Sequence, residues 1–184
     1  MTRLLAAVAL GLCVTPLTAA EKPNVVLIVL PDVGQRDLGC YGSTYHKTPH
    51  IDALAARGVR FTQATAACPV CSPSRVALLT GRQPARFGVT DWIPGQPTRP
   101  AHRLAGPTNA TELVLAAVTA AERFRAAGYR TAHVGKWHLG GPGFGPTDQG
   151  FDVNVGGGAA GHPPSYFAPY GDRVPGLADA PKGE

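Results

Sequence analysis

The apolar positions begin with an unbroken run, Val25-Val26-Leu27-Ile28-Val29-Leu30, which stops at Pro31-Asp32. β-Branched side chains without polar alternation predict a strand buried on both faces, as inside a parallel sheet. A helical pattern follows, with Thr48 as N-cap, Pro49 in the first turn, Ile51 and Leu54 on one face, and Gly58 just past the end. Residues 59–62 can return as a strand. Ser72 then caps a helix whose first residue is Pro73, carrying Val76, Leu78 and Leu79 before Gly81 ends it. Residues 119–127 hold good helix formers ahead of Gly128, and residues 129–134 resume an extended pattern. Strand and helix alternate, which predicts an α/β fold around a mostly parallel sheet flanked by helices, its ligand site beyond the carboxyl ends of the strands.

Two stretches break the periodicity. Residues 83–109 are rich in Pro, Gly and polar side chains and read as a long loop, as do the Gly- and Pro-dense residues 140–184. The glycines of the second stretch do not spell G-x-G-x-x-G, which argues against a dinucleotide loop. Asn109-Ala110-Thr111 is a glycosylation sequon, relevant only in a eukaryotic host.

The first twenty residues differ in character. Arg3, an apolar run over residues 4–14 and the small residues Thr18-Ala19-Ala20 read as a secretory signal peptide, 1–20, cleaved after Ala20. The run is shorter than the ~20 residues a spanning helix needs, and Cys13 follows Leu12 rather than a small residue. A secreted or periplasmic protein with no stable membrane anchor is expected.

Charge and cysteine content narrow the chemistry. The formal net charge of the 184 residues is +5, with Lys and Arg scattered and no aromatic-interleaved basic stripe, so no nucleic-acid partner is expected. An anionic small molecule or polyanionic glycan suits the balance. Beyond the leader stand three cysteines, Cys40, Cys68 and Cys71; an odd number in an oxidising compartment leaves at least one thiol unpaired or altered. Cys68-Pro69-Val70-Cys71 has the spacing of a redox dithiol or half a zinc site. No second pair completes a zinc cage, and a dithiol predicts a Cys68–Cys71 disulfide.

Cys71-Ser72-Pro73-Ser74-Arg75, followed by Val76-Ala77-Leu78-Leu79-Thr80-Gly81-Arg82, resembles the sulfatase signature, C-x-P-x-R extended by L-T-G-R. Gly135-Lys136-Trp137-His138-Leu139-Gly140 resembles the G-K-W-H-L-G segment of the same formylglycine-dependent, arylsulfatase-like family. The resemblance implies an alkaline-phosphatase-like fold and a Cys71 oxidised to formylglycine by a formylglycine-generating or anaerobic sulfatase-maturating enzyme. Hydrated, that aldehyde offers one oxygen to attack sulfur and a second to expel sulfate, which a serine lacks. A helix amino terminus at Cys71 would favour the oxyanion, and Arg75 would add a fixed charge. By the same resemblance Lys136 holds the sulfate and a diol oxygen, and His138 helps remove the diol proton. In an extended chain Lys136 and His138 face one pocket; Trp137 reads as core.

Residues 23–32 and Asp37-Leu38-Gly39-Cys40-Tyr41-Gly42 resemble the family's opening strand and first metal loop. Adjacent carboxylates normally end that strand and bind a divalent cation, calcium or alternatively magnesium. Here Pro31 takes the first place, leaving Asp32, with the modified Cys71, as the implied metal ligands. Calcium wants six to eight oxygens, so weakened binding is expected; Asp37 reads as a loop-capping aspartate.

The resemblance spans nearly all of residues 22–170. Family members are longer and supply later metal, lysine and histidine ligands, so residues 21–184 read as the amino-terminal portion of a sulfatase catalytic domain, incomplete at its carboxyl-terminal side. The substrate class is a sulfate-ester small molecule or sulfated glycan. Related C-x-P-x-R enzymes acting on phosphonate monoesters or phosphodiesters, and a noncatalytic remnant binding sulfated glycans, are the alternatives.

Overall fold

A two-stranded parallel ladder, β1 (Ala132–Val134) beside β2 (Val153–Val155), forms the sheet seen in the computed structural model, with Ala132 opposite Val153 and Val134 opposite Val155. The structure describes residues 22–170 except 98, 100 and 105, together with 174–177; the leader-like segment 1–20 lies outside them. Among these residues three helices accompany the sheet: α1 (Pro49–Arg57), α2 (Cys71–Thr80) and α3 (Ala120–Ala126). Short 3-10 turns at Gln35–Asp37, Gly39–Tyr41, Pro84–Phe87 and Thr147–Gln149 link them. The architecture is the α/β class expected from the alternation.

Local chemistry explains the helix limits. Thr119 caps α3 by a reciprocal box: its Oγ1 accepts from Glu122 N at 3.2 Å, while the Glu122 carboxylate accepts from Thr119 N at 2.7 Å. At the end of α2, Gly81 takes φ 65° and its N–H closes on Ala77 O, a left-handed cap glycine adopts without cost. Thr48 precedes α1 as expected, yet its hydroxyl accepts from Gly39 N at 2.8 Å and donates to Asp52, tying α1 to the preceding loop. Asp37 is a loop cap as read: its carboxylate accepts from Gly34 N at 2.6 Å.

The core lies where α2 meets the segment after β1. Val76, Val89, Ile93, Leu113, Ala117, Trp137 and Leu139 form one buried cluster, with Leu79, Phe87, Ala110 and Phe151 packed around it. Trp137 is fully buried, as expected, its indole N–H donating to Phe144 O at 2.8 Å. Removing a side chain of that size from such a place costs about 3–5 kcal/mol.

Four expectations are corrected. The run over residues 25–30 joins no ladder and is exposed, Val26 at 82%; no described element covers its faces, and apolar pattern alone makes no hydrogen bonds. Its alternation survives in a cleft of about 430 Å3, where Val25, Leu27 and Val29 face Ala132 and Val134 of β1. Residues 59–62 form no strand. The stretch 140–184 is not all loop, because β2 pairs with β1 from within it. Finally, α2 starts at Cys71 with Val70 as N-cap, and the hydroxyl of Ser72 caps nothing. Among the described residues no helix is long and apolar enough to cross a membrane.

Candidate active site

Cys71 is the first residue of α2 and half-buried, where the helix leaves N–H groups without intrahelical partners. One turn on, the Arg75 guanidinium donates from Nε to Trp137 O at 2.8 Å and from Nη2 to Lys136 O. Two motifs sixty residues apart in sequence are thereby locked together. Burial lowers the Arg75 pKa, and the neighbouring Cys71 opposes that shift.

The segment after β1 is held from several sides. Gly135 N donates to Val155 O at 2.7 Å, Leu113 N to Leu139 O at 2.9 Å, and His138 N to Gly158 O at 3.0 Å. The Ser72 hydroxyl donates to His138 O and accepts from Ile93 N, both at 3.0 Å. His138 Nε2 meets Ile93 O at 2.6 Å, while its Nδ1 is buried without a hydrogen-bond partner. Burial pushes the His138 pKa below the ordinary value against the Ile93 bond, and the charges of Lys136, Arg75 and His162 press it the same way.

Lys136 and His138 do not share one face of an extended strand. β1 ends at Val134, and His138 takes φ 59°, so the two-residue alternation stops before it applies. Lys136 is half-buried and lines two cavities, while His138 is buried at 4% exposure. One cavity, about 440 Å3, opens beyond the carboxyl ends of β1 and β2 and is lined by Lys136, His162 and Tyr166 among others. This is where an open parallel sheet places its ligand site.

Arg75 and Ser72 thus hold the main chain of residues 136–138 against the start of α2, where Cys71 lies. Asp32 is not gathered with them. It sits exposed in a turn at φ 60°, and Pro31, not Asp32, lines the cleft that Arg75 and Lys136 share. Among the described residues no group of three or more His, Cys, Asp or Glu could hold a metal ion. The donors present do not fit calcium, which takes six to eight oxygens. Cys40, Cys68 and Cys71 are free thiols, so Cys68 and Cys71 are not joined as a dithiol reading requires.

Two contributors escaped the sequence. Ser72 has the sequence position of a helix cap, and nothing in its neighbours announces a bond to residue 138. His162 lies in a Gly- and Pro-rich stretch without periodicity, and only the pairing of β2 with β1 brings it toward Lys136.

Comparison with known proteins places the whole segment in one family. The model of the family described as Sulfatase matches residues 23–170. Arylsulfatase A of Homo sapiens is 46% identical over 151 residues, covering 80% of this chain and 27% of that protein. N-acetylgalactosamine-6-sulfatase of Rattus norvegicus is 40% identical over 159 residues, covering 85% and 28%. The crystal structure of Ps i-CgsB superposes with a TM-score of 0.63 at 36% identity, covering 74% of this chain and 28% of that one. The same protein in complex with k-i-k-neocarrahexaose gives 0.58 at 33%, covering 68% and 26%. The chain spans under a third of the length of the curated relatives it matches.

Proposed function

The chain belongs to the sulfatase family, and from that premise we propose that it carries the nucleophile side of a sulfate-ester hydrolase whose reacting residue is Cys71, converted to formylglycine. The observation that supports this most is the Arg75 clamp, because it sets the start of α2 against the Lys136–His138 segment. Once formed, the aldehyde hydrate supplies the oxygen that attacks sulfur. The chain's own groups do the rest. Arg75 and Lys136 place positive charge beside the helix amino terminus, where a sulfate oxyanion is favoured. His138, kept neutral by burial, holds a bare nitrogen able to take a proton.

The maturing partner is a formylglycine-generating or anaerobic sulfatase-maturating enzyme, met on export toward a secreted or periplasmic location. The substrate is a sulfate-ester small molecule or sulfated glycan; the complex of Ps i-CgsB with an oligosaccharide favours a glycan. Coexpression with the maturing enzyme, followed by peptide mass spectrometry, tests the reading: Cys71 becomes an aldehyde and Cys68 stays a thiol. An unmodified Cys71 under those conditions overturns it. Matched sulfate and phosphate esters, offered to a version extended to the length of its relatives, separate a sulfatase from a phosphonate monoester or phosphodiester hydrolase.

Pro31, standing where the family resemblance puts a metal carboxylate, favours a second reading, a noncatalytic binder of sulfated glycans. Glycan binding by a matured, extended protein that shows no turnover would select it.

A further inference from the structure

Three hydrogen bonds among Ser72, Ile93 and His138 close a ring. Ser72 Oγ donates its one hydrogen to His138 O; Ile93 N donates to Ser72 Oγ; His138 Nε2 and Ile93 O meet at 2.6 Å. A carbonyl oxygen can only accept, so Nε2 carries the hydrogen. In the neutral ring Nδ1 is then the bare acceptor, and it is buried with no protein partner. A buried acceptor left unpaired is costly, and such an atom calls for an explanation, whether a catalytic role, an ion or an ordered water.

The backbone under this ring is unusual as well. His138 adopts φ 59°, a left-handed conformation uncommon for a residue with a Cβ. Such a conformation persists only when its surroundings over-determine it. His138 N is held by Gly158 O, His138 O by the Ser72 hydroxyl, and the ring by Ile93 O. Gly161 closes the other side: a Cβ there would stand 2.7 Å from Cε1 and 3.0 Å from Nδ1 of His138. Ser72 itself is fully buried, and its single hydroxyl serves both halves of the ring.

We propose that Ser72 is a positioning residue that sets the tautomer of His138, holding Ile93 and the His138 backbone so that Nε2 keeps its hydrogen and Nδ1 is left as the bare acceptor. Ser72 touches no reacting atom in this role; it acts through the main chain of residues 93 and 138. The catalytic meaning of the tautomer rests on the proposed sulfate-ester chemistry, but the tautomer itself does not.

The test is 15N NMR of the histidine side chains in the 184-residue protein at neutral pH, comparing wild type with Ser72→Ala and Ser72→Thr. Wild type is expected to show His138 protonated at Nε2 only. Ser72→Ala, which leaves Ile93 N and His138 O without their partner, loses the single tautomer and gives a mixture; Ser72→Thr, which keeps the hydroxyl, restores it. Should Ser72→Ala not fold, Ser72→Cys is read in its place, since a thiol donates and accepts only weakly, and the same loss is expected. A proton on Nδ1 in wild type, or an unchanged Nε2–H tautomer in the alanine or cysteine variant, overturns the proposal. None of these readings depends on maturation of Cys71 or on turnover: an unmodified Cys71 would defeat the functional reading and leave this one standing.

Discussion

Arg75 donates to the carbonyl oxygen of Trp137 at 2.8 Å and to that of Lys136, and so fastens the α2 helix to the segment after β1. The guanidinium fork matches two adjacent carbonyls; an ammonium group on a flexible stem does not. Arg75→Ala leaves both carbonyls short of a donor, and hydrogen bonds from a charged group contribute about 1.5–3 kcal/mol. A loss of that order in urea unfolding is expected, with Arg75→Lys recovering only part of it. Full recovery by lysine would mean that charge, not geometry, is what this position supplies.

Asn109 organises the turn that carries Ile93. Its Oδ1 accepts from Thr90 N at 2.8 Å and Asp91 N at 3.0 Å, and its Nδ2 donates to the carbonyls of Asp91 and Trp92. Asn109→Ala removes every one of these partners, and each part-buried backbone group left unpaired costs about 1–3 kcal/mol. The variant is expected to lose roughly 2 kcal/mol or more in denaturant unfolding. It should also broaden the His138 signals, since Ile93 O is the partner of that ring. Unaltered stability would show that the turn holds without its amide.

Acid should weaken the fold before carboxylates titrate. His133 is 9% exposed, edge-on to Trp137 and Phe151; burial lowers its pKa first, and the Arg75 charge adds to the shift. A lowered histidine pKa means the folded state binds fewer protons than the unfolded chain, so stability rises with pH across the window. The contribution is complete above the unfolded value of about 6.5 and is lost as pH falls from there through the lowered folded value. His138 adds to the same window, because burial leads its shift too. Asp152 acts lower: its carboxylate accepts from Thr131 N, which lowers its pKa, and that support fades only below the ordinary carboxylate range. Urea midpoints measured from pH 7.5 to 5.5 should fall, and His133→Gln should flatten the slope. A level midpoint in wild type contradicts the argument.

These features differ in how far they could be read from sequence, and the difference is physical. Thr48-Pro49 with Gly58, Thr119 with Glu122, and Gly81 mark helix limits by interactions within a few residues, so they are visible without tertiary structure. That the start of α2 and residues 136–138 belong together was legible because two strings match one family, not because spacing implies contact. What distant partners decide was not legible. Val153-Asn154-Val155 becomes a strand only because β1 offers an edge. Ser72 has the composition of a cap, but its hydroxyl is drawn away by Ile93 and His138. The apolar run over residues 25–30 needs cover on both faces, and exposure in the described fold shows how little pattern achieves alone.

Pro31 is the place where likeness and chemistry diverge, and calcium binding measures the divergence. The family resemblance puts a carboxylate there, whereas proline offers no side-chain oxygen and fixes its own φ. Asp32 beside it is exposed at φ 60°, and no cluster of three or more acidic, histidine or cysteine side chains forms among the described residues. Pro31 lines the cleft shared with Arg75 and Lys136, so a carboxylate at position 31 would face two positive neighbours. With so few anionic oxygens, this chain should bind calcium no more tightly than weak extracellular modules, about 10⁻⁴–10⁻³ M, by titration calorimetry. Pro31→Asp adds a carboxylate that both ligates the ion and offsets those positive charges. Tightening by about tenfold, near 1.4 kcal/mol, is expected. Micromolar binding by the unaltered chain would show that Asp32 and its neighbours suffice, and equal binding by the two versions would show that position 31 is not a metal-ligand position in this protein.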